Sequence, residues 1–200
     1  MSTLKNLIII RAGKTTKKGM VTRWAKVPLR QIARIMHDCI PIGNTLVVSG
    51  PDKAGVMSSK IIREELERLL ILDGISPVFA RVPSEENELL GVKFNISEDG
   101  DMEEDHATRL FLAKQIIDFI KNAHTERLFD TLILVTHAYQ SVIIEDKYAS
   151  SVLGNDSRHP YGGVSPGSAI WTHKYGTTPM TIPLHDKLQR LERLNETLRC

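Results

Sequence analysis

Arg11 and His137 are the side chains of this chain best placed to do chemistry, because each stands where a short apolar run gives out. Leu7-Ile8-Ile9-Ile10 empties into Arg11-Ala12-Gly13-Lys14-Thr15, and Leu132-Ile133-Leu134-Val135-Thr136 ends at His137-Ala138. Runs of that length read as buried strands, and in a parallel sheet ligands bind at the strands' carboxyl ends. The chain leaving Arg11 is strongly basic. Between Arg11 and Arg30 it holds seven cations (Arg11, Lys14, Lys17, Lys18, Arg23, Lys26, Arg30) and no acid. A basic segment at a strand end attracts anionic ligands or partners. Nine acids and one base, Lys93, lie between Glu85 and Asp105, so two solvated loops that partly neutralise each other would also account for the pattern.

Other constellations are weaker. Gly50-Pro51-Asp52-Lys53-Ala54-Gly55 has the outer glycines of a nucleotide-binding P-loop, but the Lys and Ser/Thr that must follow are Val56 and Met57. Without an ammonium for the phosphates and a hydroxyl for Mg²⁺, that reading fails. His37, His106, His124, His159, His173 and His185 lack ligand spacing, and neither they nor Cys39 and Cys200 make a metal or disulfide framework.

The elements that must position these residues alternate. Strands are expected at 4–10, 44–49, near Pro77–Val82, at Thr131–Thr136 and at Ser168–His173. Helices are expected at 27–39, with Pro28 in the first turn, at 53–72 closed by Gly74, and at 102–123 with Leu110, Phe111, Ile116, Ile117 and Ile120 as its buried stripe. This order predicts one α/β domain over residues 1–200, a three-layer α/β/α sandwich with a mainly parallel central sheet. The Gly/Ser/Pro-rich stretch 150–167 reads as a loop or lid beside the cleft. Leu184, Leu188, Leu191, Leu194 and Leu198 mark a terminal helix that docks on the sheet or pairs with a second copy.

A hydrophobic content of 42% over 200 residues suits a substantial core. The net charge of +2 gives no global field for nucleic acid or membrane. With no apolar run of spanning length and no signal-peptide pattern, the expectation is a cytoplasmic protein.

Taken in order, these motifs resemble the histidine phosphatase (phosphoglycerate mutase-like) superfamily, over most of the chain. That family's first strand ends in Arg-His-Gly, its second in Ser-x-Pro-x-x-Arg-Ala, and a later strand in a Val-Ser-His-Gly-like motif. Here these become Arg11-Ala12-Gly13, Ser49-Gly50-Pro51-Asp52-Lys53-Ala54 and Val135-Thr136-His137-Ala138. The resemblance implies phosphate contacts from Arg11, Gly13, Lys14, Ser49, Lys53 and His137, and a proton donor among Glu85, Glu86 and Glu88. It also exposes two departures. Ala12 stands where the family's nucleophilic His stands, and Ala54 where it has an Arg. An engineered change would account for Ala12 and not for Ala54, so natural degeneracy is the simpler reading.

The implied function is that of a pseudo-phosphatase, without cofactor or metal, that binds a phosphate-containing small molecule or a protein partner. Two alternatives stand beside it. One is an active phosphatase or mutase in which His137 or a carboxylate near Glu85 activates water. The other is an assembly subunit using the C-terminal helix.

Overall fold

Short runs of Ile, Leu and Val, too short for helices and flanked by turn residues, build the centre of the molecule as strands. The computed structural model describes residues 4–16, 18, 20–40, 42, 44–91, 111–122, 129–137 and 144, and the backbone of 169–173 and 176–180. In chain order the elements are β1 (Asn6–Arg11), α1 (Arg23–Cys39), β2 (Thr45–Ser49), α2 (Lys53–Leu72), β3 (Ser84–Glu86) and α3 (Glu88–Gly91). A helical stretch at 111–122 follows, then β4 (Thr131–Thr136), β5 (Ala169–His173) and β6 (Gly176–Met180).

The strands form one six-stranded sheet in the order β3-β2-β4-β1-β5-β6. β3, β2, β4 and β1 run parallel, whereas β5 and β6 are antiparallel additions at the β1 edge. The alternation along each strand divides the core. Ile8, Ile10, Val47, Ile133 and Val135 pack against Leu29, Ile32 and Met36 of α1 and Ile62 and Leu66 of α2. Leu7, Ile9, Leu46, Val48, Leu132 and Leu134 pack on the other side with Leu90, Ile116, Ile117, Ile120 and Ile144. Each such side chain contributes roughly 1.5–3 kcal/mol by leaving water. Both faces of the sheet are therefore covered, as the sequence pattern predicted.

The helices have local causes. Thr22 caps α1, its hydroxyl accepting from the Ala25 N–H at 3.3 Å. The helix thus starts earlier than its apolar stripe implied, and Pro28 lies inside it instead of in the first turn. α2 is closed just beyond its end by Gly74, with φ +88°, where the Ile75 N–H reaches the Leu70 carbonyl at 3.1 Å and the Gly74 N–H reaches the Ile71 carbonyl at 3.0 Å. That paired closure is a Schellman cap.

Between α1 and α2, buried Glu65 accepts from Arg34 at 2.8 Å and from Arg68 at 2.7 Å. Hydrogen bonds from Arg68, then from Arg34, hold its carboxyl at about 2, against the desolvation that works to raise it.

Three sequence expectations change. The third strand is not Pro77–Val82 but Ser84–Glu86. Val78 and Phe79 are 72% and 81% exposed, so their apolar character does not mark a buried strand. A short polar strand at the sheet's edge also offers little to pair with. In the 111–122 helix Phe111 is exposed, while Ile116, Ile117 and Ile120 are buried as expected. β6 was not foreseen, because Gly176-Thr-Thr-Pro-Met180 has no apolar run. Leu110, the 150–167 loop and the 184–198 leucine stripe lie outside the described residues.

Candidate functional site

β1, β4 and β2 are neighbours running the same way, so residues 11–13, 136–137 and 49–52 gather at one end of the sheet. Arg11 closes β1 opposite Thr136 of β4. Its guanidinium is half-buried, and desolvation pushes its pKa below the ordinary arginine value.

Ala12 comes next and is 8% exposed, in one apolar cluster with Val21, Ala25 and Leu29. Ala54, near the start of α2, packs against that same cluster. Of the two positions at which the resemblance puts an imidazole and a guanidinium, one is in the hydrophobic core and the other is a half-buried methyl packed against it.

The β4 end is polar. His137 Nε2 lies 3.1 Å from Asp52 Oδ2. A carboxylate can only accept, so Nε2 carries the hydrogen. Asp52 also caps α2, its Oδ1 accepting from the Ala54 N–H at 3.0 Å and the Gly55 N–H at 3.2 Å. Its charge sits at the positive end of the helix dipole and satisfies two otherwise orphaned amides.

Further amides at this end are engaged as well. Ala12 donates to the Thr136 carbonyl at 2.8 Å, Gly50 to Val135 at 3.3 Å, and Gly13 to the Ser58 hydroxyl at 3.0 Å. One flank is closed by α3. A Cβ on Gly50 would lie 2.8 Å from the Gly91 Cα, so only glycines let these two backbones touch. The Thr136 hydroxyl ties the same flank down by donating to the Leu90 carbonyl at 3.1 Å.

The remaining candidates are dispersed. Ser49 is 2% exposed, and its carbonyl accepts from the Asn87 N–H at 2.8 Å. Lys14 and Lys53 are exposed, the latter as the first residue of α2. Glu85 and Glu86 sit on β3 opposite Val48 and Ser49, and Glu88 opens α3. The carboxylate brought to His137 is Asp52. Sequence reasoning passed over Asp52 and Ser58, although an Asp directly before a helical stripe is a cap signal that was there to be read. Among the described residues no group of His, Cys, Asp and Glu could hold a metal ion, and no helix is long and apolar enough to cross a membrane.

The parallel four-strand core and its helical cover define a phosphoglycerate mutase-like α/β fold. No protein-family model matches the sequence, and no curated protein does. Solved structures match in fold. The product of open reading frame Rv3214 of Mycobacterium tuberculosis aligns with a TM-score of 0.56 at 11% identity, over 89% of this chain and 96% of that one. The mycobacterial glucosyl-3-phosphoglycerate phosphatase Rv2419c gives 0.53 at 11% identity, over 84% and 89%. Bacillus stearothermophilus YhfR gives 0.52 at 14% identity, over 83% and 89%.

Proposed function

We propose that this chain is a degenerate histidine-phosphatase-like protein that has lost phosphoryl transfer and acts by binding. One observation carries the reading: the position of the missing nucleophile, Ala12, is packed into the apolar cluster of Val21, Ala25 and Leu29. A methyl group there offers no electron pair for a phosphoenzyme, and the described residues clustered with it are apolar.

Of the two ligand classes expected, a protein partner is the better supported. A phosphate needs N–H donors aimed at it, and the Ala12, Gly13, Gly50, Ala54 and Gly55 amides already donate within the chain. Among the described residues, a phosphorylated molecule would depend on side chains such as Lys14, Lys53 and His137.

A second reading has its own support in the His137–Asp52 contact. With Nε2–H directed at Asp52, a neutral His137 presents Nδ1 as a proton acceptor, the arrangement of an oriented general base. Water activated there would attack a phosphomonoester directly.

Hydrolysis of an aryl phosphate by the protein and by its His137→Ala variant, at several protein concentrations, separates the two. The binding role predicts no turnover above the variant. Turnover that scales with protein and vanishes in His137→Ala would replace it with water attack.

A further inference from the structure

The amino-terminal face of α1 carries a charge pattern that the strand-end site does not use. Lys14, Lys18, Arg23 and Arg30 are exposed and Lys26 is half-buried. Among the described residues none of the five has an ion-pair partner. The backbone gathers them. Thr15 bridges Val21, the Thr16 N–H donates to the Met20 carbonyl at 2.8 Å, and the Thr22 N–H donates to the Lys14 carbonyl at 2.9 Å. Residues 14–16 thus lie against 20–22, which brings Lys14 beside the start of α1. From there Arg23, Val27 and Arg30 follow along one helical stripe, flanked by Trp24 and Lys26. Within this ring of cations Met20, Trp24 and Val27 are 52%, 60% and 40% exposed.

The arrangement works against the chain's own electrostatics. α1 has no acidic residue in its first turn, and instead places Arg23 and Lys26 at the positive end of its dipole. Arg23–Lys26 and Lys26–Arg30 are like-charge pairs at helical spacing. Among the described residues nothing in the packing of α1 requires this, because the helix is anchored by its opposite face through Ala25, Pro28, Leu29, Ile32, Ala33 and Met36. Carboxylates supplied from outside would relieve both conflicts.

We infer that this face docks an acidic segment of a partner protein, its carboxylates meeting the cations and its apolar side chains covering Trp24, Met20 and Val27. The inference rests on the binding role proposed above and names the partner's chemistry. Exposed apolar anchors ringed by charge match the anatomy of a protein interface. Single-stranded nucleic acid would want several stacking platforms, and Trp24 is the one aromatic between Arg11 and Arg30. A membrane would want a free apolar helix face, and that of α1 is buried.

The test uses the full chain and a fluorescent synthetic peptide of repeated Glu-Glu-Leu triplets, with a Gln-Gln-Leu peptide, oligouridylate and phosphatidylserine vesicles as the other arms. Saturable binding of the acidic peptide is expected, weakening as salt is raised. The charge reversal Arg23→Glu/Arg30→Glu should weaken it about tenfold or more, and Trp24→Ala about threefold. These positions are exposed, so circular dichroism of both variants should match the parent. Absence of saturable binding, equal affinity in the charge-reversed variant, or capture of oligouridylate or vesicles in place of the peptide would each overturn the inference. The aryl phosphate assay on the same preparations keeps its failure separate from that of the binding role. Turnover lost in His137→Ala defeats that role, whereas the peptide titration judges this surface.

Discussion

β1 and β4 pair residue for residue and end at the same end of the sheet, yet they finish in opposite chemistry. β1 runs out into Ala12, sealed in the apolar cluster under α1. β4 runs out into His137, which is held by the carboxylate that caps α2. Here the β1 side is packed as core, and on the β4 side a charge supplied by the chain itself faces the imidazole. Among the described residues, the two strand ends are thus satisfied from within the chain by two different kinds of contact.

The largest effect should come from disrupting the β1 contact. Ala12→His would push an imidazole into a packed apolar cluster, adding overpacking to an unpaired polar group. Each term is about 1–3 kcal/mol, so a loss of about 2–6 kcal/mol in urea unfolding is expected. Adding Ala54→Arg should worsen it, since Ala54 packs on the same cluster. The double variant should stay inert toward aryl phosphates. Unchanged stability in Ala12→His would mean that the β1 end has room for a ligand, and the contrast with β4 would fall.

Glu65 shows what a buried charge contributes when it is fully satisfied, and so sets the scale for the β4 end. Its folded pKa of about 2 lies below the unfolded carboxylate range near 4.3. The resulting stability is present above pH ~4.5 and is lost as pH falls toward 2. The two guanidiniums are about half exposed to solvent, which screens the pair. Allowing for that, Glu65→Gln should lose about 2 kcal/mol at pH 7, and the acid-dependent part of the unfolding curve should flatten. Equal acid sensitivity in parent and variant would mean that other carboxylates carry it.

How much of this was legible in the sequence follows from the range of each interaction. β1, β2, β4 and α2 were readable because their hydrophobic periodicity is local, and Asn6–Arg11 or Lys53–Leu72 needs no knowledge of its neighbours. β3 and β6 were misplaced or missed because polar edge strands are defined by the strand they lie against. At the site, Ala12 and His137 could be marked from their motifs. That Ala12 joins the core under α1, and that Asp52 meets His137 across 85 residues of chain, depends on which helix crosses which strand end.

The smallest change in stability, and the sharpest test of the β4 contact, is Asp52→Ser. Serine caps a helix nearly as well as aspartate, so α2 should keep its start and the variant should lose about 1 kcal/mol or less. The substitution removes the negative charge that now faces His137 and the α2 amides, leaving an imidazole and a helix N-terminus pointed at one vacant position. Inorganic phosphate, followed by calorimetric titration, should then bind about tenfold tighter than to the parent, a difference of ~1.4 kcal/mol. The gain should vanish in Asp52→Ser/His137→Ala. If the parent binds phosphate as tightly as Asp52→Ser does, Asp52 is not acting as the site's internal anion. The β4 end would then be a working anion site, and only the β1 end would have been closed.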